Sequence, residues 1–228
     1  MYYIGRIFIM KRNRKMLCVS LCLLVAFVTW TLLVRFVDVR GIGPRGSSVG
    51  LATLNQFVHN ATGTNMTLYV ITDWLGLVPI ATALGFAVLG LCQWVGRRSI
   101  LKVDRSIIAL GVFYIAVMAA YVFFEYAVIN YRPVLIEGIL EASYPSSTTL
   151  LTLCVMPTAA MQLRARIKNG ILRRAAVSVM LIFTAFMIVA RILSGVHWIT
   201  DIIGGILLSA GLTSAYTAAA AERDFRCD

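Results

Sequence analysis

The chain has 228 residues, of which 60% are hydrophobic and 14% charged. So little charge cannot wet the surface of a soluble protein of this length, which excludes soluble domains and leaves one membrane domain over residues 1–228. The net charge of +11 does not indicate nucleic acid, because the basic residues gather at the ends of apolar runs, where they carry topology information.

Apolar runs long enough to cross a ~30 Å hydrocarbon layer predict an all-α bundle of about six transmembrane helices over residues 16–218. A basic N-terminus, 1–15, precedes the bundle, and a tail, 219–228, follows it. The first span is about Met16–Val34, and a cleaved signal peptide is its rival reading. The run is too long for a signal core, and no small-x-small cleavage site follows it. The second span is about Leu68–Val95, with Asp73 near its start and expected to be interfacial or paired. The third is about Ser106–Val128. The fourth, about Ser146–Met161, is short and contains Pro157. The fifth is about Ala175–Leu193 and the sixth about His197–Ala218.

Placing the N-terminus in the cytoplasm leaves Arg35, Arg40, Arg45, Arg132 and Arg191 outside, and the other sixteen of the 21 Lys and Arg inside. That asymmetry predicts both termini in the cytoplasm, in a plasma membrane. The segment 35–67 is Gly- and Ser-rich around 41–50 and reads as irregular or partly amphipathic. Its triplets Asn60-Ala61-Thr62 and Asn65-Met66-Thr67 fit the glycosylation pattern, which is common by chance. Cys18, Cys22, Cys92 and Cys154 fall in apolar runs and Cys227 in the tail, without CxxC or metal-ligand spacing, so they read as packing.

Three polar stretches fall at span ends on one side of the membrane, where ionisable groups are costly unless paired, hydrated or used. The strongest runs from Arg191 through Ser194, Gly195 and His197 to Asp201. His197 is expected in the first turn of the sixth helix, with Asp201 four residues on and on the same face. The carboxylate would accept a hydrogen bond from one ring nitrogen, leaving the other free as a nucleophile or base. Arg191 offers a fork of donors for phosphate oxygens. A structural His–Asp staple with a snorkelling Arg191 is the alternative. In the second stretch, Ile129-Asn130-Tyr131-Arg132-Pro133, Arg132 either grips phosphate or snorkels before a helix-breaking Pro. In the third, Tyr144-Pro145-Ser146-Ser147-Thr148-Thr149, the hydroxyls beside free N–H groups make an anion cradle or simply cap the helix.

The order and spacing of these stretches resemble the type 2 phosphatidic acid phosphatase family of membrane lipid phosphatases, over roughly residues 70–215. That family's signature is K-x6-R-P, P-S-G-H and S-R-x5-H-x3-D. Here the third motif keeps Arg191-x5-His197-x3-Asp201, with Ala190 for its leading Ser. Arg132-Pro133 matches the end of the first motif and Pro145-Ser146 the start of the second. The family's Lys falls at Glu125 and its Gly-His at Ser147-Thr148. The resemblance implies six spans, a site at the outer face, attack on phosphorus by His197 and orientation of His197 by Asp201. Arg132, Ser146, Ser147 and Arg191 would hold the phosphate. It also implies a missing acid, because Thr148 cannot replace an imidazole that protonates the leaving oxygen; general acid catalysis is worth ~10²–10⁴-fold. Glu125, Glu137, Glu141 and His59 are candidate substitutes, although His59 is expected at the surface.

The expected activity is hydrolysis or transfer of the phosphate of a membrane lipid phosphate or diphosphate, with no metal or other cofactor. The substrate partner is then a lipid phosphate or polyprenyl diphosphate, among membrane lipids and not nucleic acid. A diphosphate, whose leaving group needs little protonation, suffers less from the missing histidine. The basic segment from Arg164 to Arg174 reads as an orientation signal touching anionic lipids. The alternatives are a weakened relative that binds lipid phosphate or acts as a scaffold and, less favoured, a transporter component.

Overall fold

The structure, a computed structural model, describes residues 2–223, with side chains described over 13–220. The side chains of Arg6, Lys11, Arg12 and Arg223, together with Arg226 and Cys227, lie outside the described residues. Eight α-helices follow one another: α1 (Tyr2–Phe36), α2 (Ala52–Thr62), α3 (Met66–Leu75), α4 (Leu77–Arg97), α5 (Arg105–Tyr126), α6 (Ser147–Arg166), α7 (Gly170–Ser194) and α8 (Ile199–Arg223). Among the described residues there is no strand, only isolated bridges such as Tyr131 with Ala142.

Five passages are long and apolar enough to cross a membrane: Asn13–Phe36, Met66–Arg97, Arg105–Tyr126, Gly170–Ser194 and Ile199–Ala220. They make this an integral membrane protein. The second is two helices, because Pro79 has no N–H for the Leu75 carbonyl and α3 therefore gives way to α4 at Gly76.

The fourth predicted span, α6, is as long as the others but polar. It packs against α4, α5, α7 and α8 and buries Thr149, Thr152, Thr158 and Gln162. A helix wrapped by protein needs no apolar face, which is why its membrane signal is weak in the sequence. Pro157 frees the Leu153 carbonyl, and Thr213 Oγ1 of α8 approaches that oxygen at 3.5 Å. Gln162 Nε2 donates to Tyr216 Oη at 2.6 Å, and Thr158 meets Tyr114 Oη at 3.1 Å.

α1 lies along α8, where Ser20 donates to the Gly211 carbonyl at 2.8 Å and Trp30 Nε1 to the Thr200 carbonyl at 3.1 Å. The connection between α1 and α3, expected to be irregular or partly amphipathic, contains helix α2. Asn55 of α2 sits on the start of α8, donating to Thr200 Oγ1 at 3.0 Å and accepting from Thr200 N at 3.3 Å. Asn65, in a glycosylation-like triplet, caps α3 by accepting from Leu68 N at 2.9 Å. α7 ends at Gly195, whose φ of +63° suits glycine; an added Cβ would fall 1.8 Å from the Gly63 carbonyl oxygen. The α2–α3 turn and the α7–α8 turn are thereby pressed together at one end of the bundle, along with the 127–146 loop.

Candidate functional site

All three polar stretches meet at that end. Trp198 Nε1 donates to the Tyr131 carbonyl at 2.8 Å, joining the second stretch to the one that carries His197. Ser146 N donates to the Asp201 carbonyl at 3.1 Å, joining the third to it as well. Between them lies a polar cleft of about 150 Å³, lined by Glu125, Arg132, Glu141, Ser143, Ser147 and His197 among others.

His197 precedes α8 instead of standing in its first turn, because the helix begins at Ile199. The i,i+4 spacing still brings Asp201 alongside, but Oδ2 lies 3.8 Å from Nδ1, too far for a hydrogen bond. Asp201 is fully buried and held from elsewhere: Oδ2 accepts from Trp198 N at 3.0 Å and Oδ1 from Asn130 Nδ2 at 3.3 Å. His197 Nδ1 closes no hydrogen bond.

Nε2 is 3.2 Å from Arg191 Nη2. A guanidinium only donates, so Nε2 is the acceptor and carries the lone pair. Burial, helped by the charges of Arg191 and Arg132, holds His197 well below the ordinary imidazole range. It is neutral at pH 7, with its unprotonated Nε2 turned to Arg191.

Arg191 is 1% exposed. Its Nη1 donates to Thr72 Oγ1 at 3.2 Å, its plane lies over Tyr69 at 5.3 Å, and Nε has no hydrogen-bond partner. Arg132 lies over the same Tyr69 ring at 5.7 Å. Glu141 Oε2 is 3.1 Å from Arg132 Nε, an ion contact off the N–H direction, so Nε and Nη1 remain without hydrogen bonds. Two buried guanidiniums with unspent donors beside an imidazole lone pair form an anion site.

The α6 cradle divides unequally. Ser147 lines the cleft. Ser146 is fully buried and its Oγ accepts from Thr149 at 3.1 Å. The Thr148 methyl lies beside Gly76, outside the residues that line the cleft. Of the possible proton donors, Glu125 and Glu141 line the cleft and Glu137 does not. His59 is not a surface residue. It is half-buried, with its ring 5.4 Å from that of Trp198, and it lines a small cavity together with His197. Burial lowers its pKa. Asp73 is exposed. Among the described residues no group of three or more His, Cys, Asp or Glu is placed to hold a metal ion.

The model of the PAP2 superfamily matches residues 121–224, which takes in Arg132, the α6 start, Arg191, His197 and Asp201. This part of the chain is similar to the PAP2 superfamily. The PAP2 fold extends beyond it: the crystal structure of the first transmembrane PAP2 type phosphatidylglycerolphosphate phosphatase from Bacillus subtilis matches with a TM-score of 0.61 at 14% identity. That match covers 91% of this chain and 97% of that one. No curated protein matches the chain. Tyr69 and Thr72, which grip the arginines from α3, lie before the PAP2 match and were missed by the motif reading. Their trace in the sequence is a hydroxyl pair three residues apart, one helical face, at the start of an apolar run.

Proposed function

We propose that this protein transfers the phosphate of a membrane lipid phosphate or diphosphate, to water or another acceptor, through His197. The observation that carries the reading is the Arg191–His197 contact, which turns a neutral ring's lone pair toward a guanidinium whose Nε is still without a partner, with the Arg132 donors also unspent. Phosphate oxygens are held by Arg191, Arg132 and Ser147, with Ser146 fixing the turn beneath them. Nε2 attacks phosphorus, the bond to the leaving oxygen breaks, and a phosphohistidine forms with its positive charge facing Asp201. Water then attacks phosphorus, the N–P bond breaks, and the water's proton passes to a cleft carboxylate or to the departing phosphate. The match to the PAP2 superfamily model and the likeness in fold to a membrane lipid phosphatase support this chemistry in general.

With no imidazole on the leaving-group side, a leaving group that needs little protonation is favoured, so a polyprenyl diphosphate outranks phosphatidic acid. Glu125 or Glu141 supplies a proton where one is needed. The Lys and Arg asymmetry supports a site on the extracytoplasmic face of the plasma membrane with both termini cytoplasmic. The test is trapping of labelled phosphate on His197 after mixing with lipid phosphates or diphosphates. A folded preparation that never labels His197 removes the covalent mechanism. Such a result would favour a lipid-phosphate-binding or scaffold protein, a reading that Thr148's position against Gly76 supports.

A further inference from the structure

Asp201 is fully buried and does not line the cleft, so its partners decide where its charge lies. Both carboxylate oxygens accept from N–H groups. Oδ2 takes Trp198 N at 3.0 Å, a local bond within the turn that opens α8. Oδ1 takes Asn130 Nδ2 at 3.3 Å, from the 127–146 loop. The second bond is only as firm as the hold on Asn130.

That hold comes from the segment before α2. Asn130 Oδ1 accepts from Gly50 N at 3.2 Å. A backbone N–H can only donate, so the amide oxygen is committed to Gly50 and the amide nitrogen is left for Asp201. The Gly50 carbonyl accepts from Asn55 Nδ2 at 2.8 Å, and Asn55 in turn exchanges two bonds with Thr200, the residue before Asp201. The bonds close a ring: Asp201, Asn130, Gly50, Asn55, Thr200 and back to Asp201. Its four side chains are all 0% exposed. The backbone at Gly50 is pinned as well, since a Cβ there would fall 1.5 Å from the Val34 carbonyl oxygen at the end of α1.

A buried polar ring is costly unless every member is paired, and apolar side chains would fill the same space without that demand. This ring ends on one carboxylate, and none of Gly50, Asn55 and Asn130 lines the cleft. We infer that Asn130 and Asn55 are positioning residues that act through Asp201, and that residues 50–55, which lie before the PAP2-like part, belong to the catalytic apparatus. The inference rests on the His197 chemistry proposed above. The ring holds Oδ2 3.8 Å from His197 Nδ1, facing the ring that becomes positive when Nε2 takes the phosphoryl group. A carboxylate free to swing would have to be re-ordered at that moment, and a fixed one is not.

The test uses the full-length protein in detergent–lipid micelles, with phosphate release from farnesyl diphosphate as the assay. Asn130→Ala is expected to lower kcat about 10²-fold and Asn55→Ala about tenfold, with KM within about twofold in both. Because the two act through one ring, the double variant should lose scarcely more than Asn130→Ala alone; losses that multiply overturn the inference. Asn130→Asp adds a readout that damaged packing would not give. Its acid form can accept from Gly50 N and donate to Asp201 as the amide does, whereas its ionised form sets oxygen against oxygen. Its kcat relative to that of Asn130→Ala should fall roughly tenfold from about pH 6 to about pH 9. Arg132 and Tyr144 of the same loop, Arg191 of α7, His59 of α2 and His197 are the charged or titratable groups around the pair, and both variants retain them. A flat ratio overturns the inference.

A second measurement separates the ring from the catalytic reading. The chain has six asparagines, so ¹⁵N-asparagine labelling gives few side-chain amide signals, and the one lost in Asn130→Ala is that of Asn130. Asp201→Asn removes one of the two acceptor oxygens that Trp198 N and Asn130 Nδ2 share between them, so the Asn130 amide signal should move, and that of Asn55 with it. This result is expected even if no phosphate is ever released, in which case the His197 reading fails and the ring stands. An Asn130 signal indifferent to Asp201→Asn overturns the positioning role whatever the activity.

Discussion

The two sides of the cleft are built differently. On the α7–α8 side Arg191, His197 and Asp201 are 1%, 5% and 0% exposed, and contacts to Thr72, Trp198 and Asn130 fix them. On the α5–α6 side Glu125 is exposed, Glu141 leans on Arg132 as an ion contact, and Thr148 is turned to Gly76. Buried donors and acceptors lose little to reorganisation and stabilise developing charge strongly, whereas half-wet carboxylates are screened. Under the proposed mechanism the difference shows where the chemistry would be concentrated: attack and charge stabilisation are preorganised, and departure of the leaving group is left to the substrate.

This contrast can be broken by substitution. The largest effect is expected from His197→Asn, which keeps a polar side chain of similar reach and removes the proposed nucleophile. Phosphate release should fall by ~10³-fold or more. Residual turnover near that of the unaltered protein would mean the buried side is not the attacking one. Arg191→Lys should cost ~10²-fold, because one ammonium cannot reach Thr72 and His197 together while also lying flat on Tyr69. Steady-state rates with the same lipid diphosphate measure both.

The exposed side should respond less, and in a way that depends on substrate. Glu141→Gln and Glu125→Gln are expected to slow a lipid monophosphate about tenfold at whichever position gives the proton, and to leave a diphosphate nearly unchanged. Equal losses on both substrates would show that these carboxylates position Arg132 and do not move protons. Thr148→His should change either rate by less than about threefold, since that side chain faces Gly76.

The pH profile sharpens the comparison further. The folded His197 binds its proton only well below 6.5, so the acid limb of kcat/KM should fall below pH 6.5. Removing the Arg132 charge with Arg132→Gln should move that limb upward. The sign for stability is the same. The unfolded chain protonates this histidine near its ordinary 6.5 and the folded one does not, so His197's contribution is present above that pH and is lost as the pH falls below it. Thermal unfolding of His197→Asn should be correspondingly less acid-sensitive.

Much of this was legible in the sequence. Apolar runs and basic termini are long-range signals that packing does not alter, so the helices fell close to their expected places. The Arg191-x5-His197-x3-Asp201 spacing survives because a glycine-ended helix followed at once by another permits little else. What could not be read depends on neighbours distant in the chain. Asp201's oxygens go to Trp198 N and Asn130, not to the imidazole, because the helix starts after His197. His59 is drawn under Trp198 by Asn55's hold on Thr200, which no local pattern encodes. The polarity of α6 makes sense only once four helices surround it.

That buried polarity also bears on how the protein is made. α6 leaves the ribosome before α7 and α8, carrying Thr149, Thr152, Thr158, Gln162 and a mid-helix Pro157 that bare lipid does not reward. It cannot be stored alone in the bilayer, and must be inserted as a hairpin with the far more apolar α7 and then be sealed by α8. The turn carrying His197 lies between those last two helices, so the protein cannot place its proposed nucleophile until its least membrane-compatible segment has been enclosed.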